Sequence, residues 1–401
     1  MIDRRTFLAG AGATALSAIS GSAANAQAPG GKIKLGIIGC GGRGQWIAGL
    51  FKEHGGYTIH ACADYFQDKV KKCGDKYGIL ANRRFSALSG YKRLLESGVQ
   101  AVAIISPPYF HPEQAEAAVD AGLHVYLAKP IAVDVPGCKT IEESGRKAGQ
   151  KKQCFLVDFQ TRKDEYYMES IRRVHEGALG DLAFGEAIYH AGVPWGSNVE
   201  ALTKNPNDPD TKMRAWGMDQ ALSGDIIVEQ NIHTLDVMSW IMQTPPLYVD
   251  GSGARTVRPG GNCYDHFTCL YQYANQVGVT FSSRQFPGHG VSHEGIRNRM
   301  FGSKGVLETA YGGQTMVHGK SFYRGGKSPS IYKDGPVANI ATFHRNIQEG
   351  IYANDTVPPS VQSNLISVMG RNAAYQNKRV TWKALMADTT KMEYDMKGLK
   401  V

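Results

Sequence analysis

The sequence predicts an α/β protein in which an N-terminal domain with a parallel sheet precedes a C-terminal α+β domain with an open antiparallel sheet. From residue 32 to about residue 159, short β-rich runs alternate with longer amphipathic runs, as in parallel sheets covered by helices on both faces. A glycine-rich turn directly follows the first β-rich run. From residue 183 onward, strands with alternating apolar residues and intervening turn residues indicate an antiparallel sheet.

Length and composition indicate a globular protein of about two domains. The chain has 401 residues, of which 42% are hydrophobic and 20% charged, which excludes a disordered protein or a fibre. Its 45 basic and 36 acidic residues give a formal net charge of +9. The lysines are spread along the chain without a block of like charges, so we expect a solvated surface and no nucleic-acid partner.

The first 26 residues have the pattern of a twin-arginine export signal. Arg4 and Arg5 precede a weakly apolar stretch of Ala, Gly, Ser and Leu that ends at Ala24-Asn25-Ala26. An ordinary secretory signal is the alternative. The apolar run is too short and too broken for stable membrane insertion. We therefore expect a periplasmic or otherwise exported protein that crosses the membrane already folded.

Periodicity divides the rest of the chain into three parts. We expect residues 32–159 to form a first domain, residues 160–335 a second domain of strands and helices, and residues 336–401 helices that return toward the first domain. The predicted strands are 33–38, 57–63, 101–106, 124–127, 154–158, 183–190, 246–254, 265–274, 277–283, 298–302 and 314–319. The predicted helices of the second and third parts are 164–176, 222–242, 336–353 and 359–377, and residues 193–224 are expected to be a long loop.

The turn after the first strand matches the dinucleotide fingerprint G-x-G-x-x-G. The run is Gly39-Cys40-Gly41-Gly42-Arg43-Gly44. It follows an apolar strand and precedes a helical pattern, which is the context that makes this motif specific. The glycines allow a tight turn, the approach of a pyrophosphate, and close helix–strand packing, with the phosphates at the helix N-terminus. This domain is therefore predicted to have the Rossmann fold.

The second strand ends at Asp64, about twenty residues after Gly44. A carboxylate at this position accepts hydrogen bonds from the adenosine ribose hydroxyls and repels a 2′-phosphate. The nearest following basic residue is Lys69. The sequence therefore favours NAD over NADP as cofactor.

Three further groups of polar residues carry the chemistry. Ser106, Pro107 and His111 follow the strand at 101–105, and Lys129 follows the strand at 124–127. Both turns lie where open α/β sheets bind ligands, so Ser106, Pro107, His111 and Lys129 are predicted to bind the cofactor. Further on, three polar residues have the spacing i, i+4 and i+7, which places them on one face of a helix. They are Glu229, His233 and Asp236.

With these motifs, nearly the whole chain after residue 26 resembles the Gfo/Idh/MocA family of oxidoreductases. The resemblance implies that Lys129, Glu229 and His233 line the substrate pocket beside the nicotinamide, with Asp236 a further pocket or orienting residue. Two positions depart from the family pattern. Ala128 stands where the family usually has glutamate, and Glu229 stands where it usually has aspartate.

The residue types suit the oxidation of an alcohol. A neutral imidazole is a suitable base for the hydroxyl proton, which makes His233 the leading candidate base. Lys129 is its partner or an alternative base, and it can stabilise charge on the reacting oxygen. Glu229 binds substrate hydroxyls or tunes this pair. We expect no metal site, because the seven cysteines include no C-x-x-C pair and Glu229 and His233 lack a third ligand at a recognisable spacing.

Other residues are predicted to contact the substrate. Arg162 and Gln160 lie where the chain crosses into the second domain, and Arg214 and Trp216 lie in the expected loop at 193–224. Trp195 and Trp216 are candidates for stacking on a sugar ring, although core packing accounts for a tryptophan equally well.

The leading hypothesis is an exported oxidoreductase that transfers a hydride between a sugar, polyol or sugar derivative and a tightly bound NAD. One alternative is an NAD-dependent glycosidase or lyase that works by transient oxidation and elimination. Another is a non-catalytic protein that binds a dinucleotide or a sugar. We also expect a homo-oligomer, a dimer or a tetramer, formed through the open face of the second sheet.

Overall fold

The computed structural model describes residues 31–194, 196–291 and 295–401. The expected export signal at residues 1–26 and the candidate Trp195 therefore lie outside the described residues. In the described part of the chain, no helix is both long enough and apolar enough to cross a membrane.

The first domain is built on a six-stranded parallel sheet formed by described residues 33–158, with strand order β3-β2-β1-β4-β5-β6. Its strands are β1 (Ile33–Ile38), β2 (Tyr57–Asp64), β3 (Arg84–Ser86), β4 (Ala101–Ile104), β5 (His124–Ala128) and β6 (Phe155–Asp158). Its helices are α1 (Gly42–His54), α2 (Gln67–Tyr77), α3 (Gly90–Leu95), α4 (His111–Asp120) and α5 (Val135–Gln150). The strand order reverses between β1 and β4, where such sheets bind ligands.

The predicted Rossmann domain is confirmed, although the sequence reading missed the short strand β3. The central strands are apolar along their length because helices cover both faces of the sheet. Ile33, Leu35 and Ile37 of β1 are fully buried in one apolar cluster, whereas Ile38 belongs to another. Phe343, from the C-terminal part of the chain, belongs to the same cluster as Ile37 and contacts Tyr126.

In the second domain, helices are inserted between the strands of a sheet. This sheet has nine strands in the described part of the chain: the eight given below and one from the C-terminal part. The helices are α6 (Glu165–His175), α7 (Gly196–Lys204), α8 (Pro209–Arg214), α9 (Gln220–Ser223), α10 (Ile226–Glu229) and α11 (Ile232–Met242). The strands are β7 (Leu182–Ala191), β8 (Tyr248–Ala254), β9 (His266–Gln272), β10 (Gly278–Gln285), β11 (Gly295–Gly302), β12 (Gly305–Ala310), β13 (Thr315–Gly319) and β14 (Tyr323–Gly326).

The C-terminal part contacts both domains. It consists of α12 (Ile331–Glu349), α13 (Val357–Gln376), β15 (Val380–Thr381) and α14 (Trp382–Met386), followed by a tail at 387–401. Helix α12 packs against α1 and β6, and α13 lies between α5 and the second domain's α11 and β8. Strand β15 pairs with β8 and so forms one edge of the second sheet.

The prediction of a purely antiparallel second sheet is wrong. The strand order is β14-β13-β12-β11-β7-β10-β9-β8-β15, and β7 pairs with β10 in parallel register. The chain leaves β7 for the inserted helices and for β8 and β9 before it returns to β10, so no hairpin forces these two strands to run in opposite directions. The sheet is therefore mixed.

One face of this sheet is covered and the other is open. Residues of β7, β9 and β10 alternate between buried and accessible, as expected for a sheet packed on one side. Helices α11 and α13 cover the buried face. On the open face, Phe184 is 48% exposed and stacks on Phe301, with ring centroids 4.4 Å apart.

The stretch 193–224 is not a long loop, because most of its described residues are in the helices α7, α8 and α9. Two aspartates that look like turn residues in the sequence are helix N-caps. The Asp208 carboxylate accepts from the backbone N–H of Thr211 at 2.7 Å, and that of Asp219 accepts from Leu222 at 3.0 Å.

The predicted single helix at 222–242 is two helices. Gly224 and Asp225 both have positive φ, and the chain breaks again between α10 and α11 at Gln230 and Asn231. Glu229 therefore ends one short helix, and His233 lies in the first turn of the next.

Candidate active site

The first and third glycines of the fingerprint are required by backbone packing. Gly39 has φ +95°, and a Cβ on it would lie 2.5 Å from the carbonyl oxygen of Ile105. A Cβ on Gly44 would lie 1.8 Å from the carbonyl oxygen of Gly39. These contacts join the end of β1 to β4 and to helix α1, as the motif requires.

The middle glycines leave room for a ligand. A Cβ on Gly41 or Gly42 would meet no atom of the described residues within 4 Å. These residues form the N-terminus of α1, which no side chain of the described residues caps. Because the first N–H groups of a helix are free to bind an anion, this end of α1 fits the pyrophosphate of a dinucleotide.

Asp64 fixes the glycine turn and faces the same cavity. Its Oδ2 accepts from the backbone N–H of Cys40 at 2.7 Å, and its Oδ1 accepts from that of Phe66 at 2.9 Å. Burial raises the pKa of this carboxyl group. The cavity is lined by predicted cofactor residues together with Trp216, which was predicted to contact the substrate: Gly39, Gly41, Asp64, Ser106, Pro107 and Trp216.

His111 connects the two strand-end turns. Its Nδ1 lies 2.8 Å from the carbonyl oxygen of Pro130, and its Nε2 lies 2.8 Å from that of Ser106. The side chain is buried, and burial lowers its pKa to about 4. His111 was predicted to bind the cofactor; the structure shows it holding the backbone of the turns that carry Ser106 and Lys129.

Lys129 and Glu229 meet between the two domains. The Lys129 ammonium donates to the backbone carbonyl of Glu229, and it lies 3.5 Å from Glu229 Oε1. The two side chains are only 10% and 11% exposed. Glu229 Oε2 is buried and has no hydrogen-bond partner among the described residues, so it is available to a ligand.

His233 is held in a neutral state. Burial, followed by the positive charges of Lys129 and Arg43, lowers its pKa well below the usual value. Its Nδ1 is buried without a hydrogen-bond partner in the described part of the chain. Burial also lowers the pKa of Lys129, an effect that the charge of Glu229 opposes. The site thus combines a neutral imidazole with a buried amine.

Arg43 links the glycine turn to this group. Its guanidinium lies 3.1 Å from Asp158 Oδ2, and Asn339 donates to the other Asp158 oxygen at 2.8 Å. The positive charge of Arg43 lowers the pKa of both Lys129 and His233. The cofactor turn and the candidate catalytic group are therefore electrostatically coupled.

Tyr311 belongs to the site but was missed in the sequence analysis. Its ring centroid lies 5.3 Å from that of His233, and its hydroxyl donates to Gln160 Oε1. Tyr311 directly follows strand β12, almost eighty residues after His233, and no local pattern in the sequence marks it.

Asp236 and Arg162, both predicted to contact the substrate, bind each other in the structure. Their charged groups are therefore already paired within the protein. The Arg162 guanidinium donates to both carboxylate oxygens of Asp236 at 2.9–3.1 Å, and Ser363 donates to Oδ1 at 2.7 Å. Asp236 is fully buried. Because Glu229 ends α10 whereas His233 and Asp236 both lie in α11, the i, i+4, i+7 spacing does not place all three on one face of a single helix.

Arg214 and Trp216 lie on the Asp64 side of the sheet. Trp216 lines the cavity described above. Arg214 pairs with Asp68 of helix α2 at 3.1 Å and lies over the ring of Phe66, 3.8 Å from its centroid. The structure thus places Trp216 in the wall of the dinucleotide cavity and Arg214 against Phe66, which also lines that cavity.

Three cysteines come together behind the glycine turn. The Sγ atoms of Cys40, Cys62 and Cys73 lie within 4.8 Å of one another, and all three side chains are fully buried. The sequence reading missed this cluster because the residues come from a turn, a strand and a helix. Cys40 and Cys62 donate to backbone carbonyls, and all three pack in the apolar core of the first domain.

Comparison with known proteins agrees with this arrangement. Residues 33–156 match the family model described as "Oxidoreductase family, NAD-binding Rossmann fold", and residues 167–308 match the GFO/IDH/MocA C-terminal domain. The chain belongs to the Gfo/Idh/MocA family of oxidoreductases. The predicted family, its fold class and its NAD-binding domain are confirmed.

The curated relatives include two kinds of inositol dehydrogenase. Inositol 2-dehydrogenase/D-chiro-inositol 3-dehydrogenase from Shouchella clausii is 24% identical over 212 residues, which is 52% of this chain and 53% of the relative. Inositol 2-dehydrogenase from Klebsiella pneumoniae is 29% identical over 149 residues, which is 37% of this chain and 43% of the relative. The matched region thus spans about half the length of these relatives.

Solved structures share the fold over most of the chain. Aldose-aldose oxidoreductase from Caulobacter crescentus superposes with a TM-score of 0.67 at 21% identity, over 87% of this chain and 99% of that one. Levoglucosan dehydrogenase, in complex with NADH and levoglucosan, superposes with a TM-score of 0.68 at 17% identity, over 87% and 99% of the two chains.

The open space at Gly41 generates a prediction. We expect Gly41→Val to leave the thermal unfolding temperature unchanged but to weaken NADH binding about tenfold or more, because the new side chain occupies the place of a phosphate hydrogen-bonded to α1. Titration of NADH fluorescence measures the affinity.

The matched control is Gly192→Val, since a Cβ on Gly192 also meets no described atom within 4 Å but lies outside the fingerprint. Equal NADH affinities for the two variants would show that the pyrophosphate does not lie at Gly41.

Proposed function

We propose that this protein is an NAD-dependent oxidoreductase that acts on a CH–OH group of a sugar, polyol or sugar derivative. The observation that carries the proposal is the convergence of Lys129, Glu229 and His233, with Arg43 coupling them to the glycine turn. The names of the related proteins support the substrate class, because they act on inositols, an aldose or an anhydrosugar.

His233 and Lys129 have different roles in the proposed oxidation of an alcohol. Bound NAD supplies the hydride acceptor. His233 takes the hydroxyl proton, because its neutral imidazole has a buried nitrogen without a partner in the described chain. The Lys129 ammonium donates a hydrogen bond to the same oxygen as it becomes a carbonyl and stabilises the developing charge. In the reverse direction the protonated His233 returns the proton to this oxygen while Lys129 keeps its hydrogen bond to it.

Glu229 sets the orientation of the substrate. Its Oε2 is buried and unpartnered among the described residues, while Oε1 lies near Lys129. A buried carboxylate oxygen is costly to leave without a hydrogen bond, and a neighbouring hydroxyl of a polyol supplies one. This requirement favours substrates with adjacent hydroxyl groups over simple alcohols.

Variants of the two reacting residues test the proposal. We expect His233→Asn and Lys129→Met each to lower kcat by about 10²–10⁴-fold on the best substrate of a panel of inositols and aldoses, because each removes a proton-transfer or charge-stabilising group. NADH formation measures the rate, and NADH affinity is expected to stay within a few-fold.

Exposed residues of the same types, His175→Asn and Lys139→Met, serve as controls. Unchanged rates in both site variants would remove them from the mechanism. Cleavage of a glycoside without net NADH would instead favour the elimination mechanism, and nucleotide binding with no reaction on any panel member would favour a binding protein.

The pH profile provides a second test. Because burial and the charges of Lys129 and Arg43 lower the pKa of His233, the base stays unprotonated to lower pH, so the acid limb of kcat/KM is expected below pH 6.5. Removing one positive charge with Arg43→Met shifts this limb upward, toward the ordinary histidine value. An acid limb above pH 6.5 in the wild type would contradict the assignment of His233 as base.

We further propose that the protein is exported in folded form with its NAD already bound, and that it forms a homo-oligomer through the open face of the second sheet. The arginine pair and the following weakly apolar stretch support export. Exposed apolar residues on the open sheet face, such as Phe184 and Leu270, support association.

One preparation tests these three properties. Full-length protein recovered from the periplasmic fraction of a bacterial host is expected to have the mass of a dimer or tetramer at micromolar concentration and to release near-stoichiometric NAD or NADH on denaturation. A host without the twin-arginine pathway is the control for export. Cytoplasmic retention, a single-chain mass or an empty nucleotide site would each overturn the corresponding part.

A further inference from the structure

The cavity at Asp64 is bordered by an apolar cluster drawn from three distant parts of the chain. Its buried members are Phe66, Met213, Leu222 and Leu399. Partly buried side chains pack against them: Tyr65, Leu88, Tyr109, Phe110, Trp216, Tyr394 and Met396. The cluster, called here the cover, thus combines turns of the first domain, the inserted helices at 209–223 and the C-terminal tail.

The cover forms much of the cavity wall. Six of its residues also line the cavity that contains Gly39, Gly41 and Asp64. They are Tyr65, Phe66, Leu88, Phe110, Met213 and Trp216. Since flat aromatic and apolar surfaces suit a purine base and the Asp64 carboxylate suits ribose hydroxyls, this is the half of the site that fits adenosine.

The last residues of the tail pack against this wall and hydrogen-bond to it. Leu399 is only 8% exposed, within the cover. The backbone carbonyl of Lys400 accepts from the N–H of Leu88 at 3.0 Å, and the N–H of Lys400 donates to the Tyr65 hydroxyl at 3.3 Å. The tail therefore binds directly to two residues that line the cavity.

The inserted helix α8 binds both this wall and the tail through Asp210. The Tyr65 hydroxyl donates to Asp210 at 2.6 Å, and the Lys400 ammonium lies 3.7 Å from the other Asp210 oxygen. Asp210 thus joins the first domain, the insert and the tail. Farther back, the N–H of Met392 donates to Asp134 at 2.8 Å, so the tail is attached at two separate points.

We propose that the tail and helix α8 are part of the adenosine-binding site, and that the nucleotide leaves only when the tail detaches from Leu88 and Tyr65. This inference rests on the proposed function, since it takes the ligand to be a dinucleotide. It assigns a retaining role to residues about 335 positions away in sequence from Asp64. The consequence is slow exchange of NAD, as a resident cofactor requires.

Two variants open the cover from its two sides. Leu399→Ser removes the buried anchor of the tail, and Asp210→Ala removes the shared partner of Tyr65 and Lys400. NADH bound to the full chain is chased with excess NAD, and loss of its fluorescence gives the dissociation rate. We expect each variant to release NADH about tenfold faster or more, since losses of this kind appear mainly in the off-rate.

The controls are a chain that lacks only Val401, which is 88% exposed, and Leu247→Ser at an exposed leucine. Both should release NADH at the wild-type rate. ADP-ribose, which carries the adenosine half, should bind more weakly to the cover variants, while reduced nicotinamide mononucleotide should bind equally well to all chains.

The outcomes separate the two proposals. If the full chain binds neither NADH nor ADP-ribose, the proposed function and the retaining role both fail. If the full chain binds NADH and folded cover variants release it at the wild-type rate, only the retaining role fails. Should Leu399→Ser unfold, Asp210→Ala alone decides, because its carboxylate is partly exposed and its loss removes no buried apolar group.

Discussion

The buried contact between Lys129 and Glu229 is the constraint around which the site is organised. Lys129 belongs to the first domain and Glu229 to the second, and both side chains are about nine-tenths buried. An ammonium group taken out of water is costly unless it is paired and hydrogen-bonded. The pair therefore exists only when the two domains are packed together, and the catalytic group is assembled by that packing.

Helix α13 supplies the packing on which this contact depends. Asn364, fully buried on this helix, accepts from the N–H of Ile131 at 3.1 Å and donates to the carbonyl of Ala132 at 3.0 Å. These bonds hold the chain just after Lys129. One residue earlier, Ser363 donates to Asp236, which also binds Arg162 and so ties α11 to the same helix. One helix thus positions both Lys129 and the element that carries His233.

The parts of the structure that the sequence predicts are those encoded by local patterns. Short-range rules about backbone sterics and apolar runs predict β1, the glycine turn that ends at Gly44 and the start of α1. They also predict the carboxylate at the end of β2. Lys129 could be selected because it follows a predicted strand, and His233 because it lies in the Glu229–Asp236 run, where the sequence resembles the family pattern. What the sequence did not reveal depends on long-range pairing: the parallel partner of β7, the ion pair between Asp236 and Arg162, and the place of Trp216 in the cavity at Asp64. Tyr311, the cysteine cluster and the tail had no local signal, since their neighbours lie tens to hundreds of residues away.

The two ends of the cofactor site are held by different forces, and this difference bears on the chemistry. At the end near Lys129 the contacts are polar and buried. There, Glu229 Oε2 and His233 Nδ1 have no hydrogen-bond partner among the described residues and are available to a substrate. At the Asp64 end the cavity wall is largely apolar and is backed by the tail, which hydrogen-bonds to Tyr65 and Leu88. Under the proposed retention at the adenosine end, NAD stays bound after each turnover, so the hydride taken from one substrate has to be returned within the same site. By microscopic reversibility, the residue that removes the proton in oxidation must supply it in reduction. In the proposed mechanism this residue is His233, kept neutral by burial, while the Lys129 ammonium beside the Glu229 carboxylate hydrogen-bonds to the reacting oxygen in both directions.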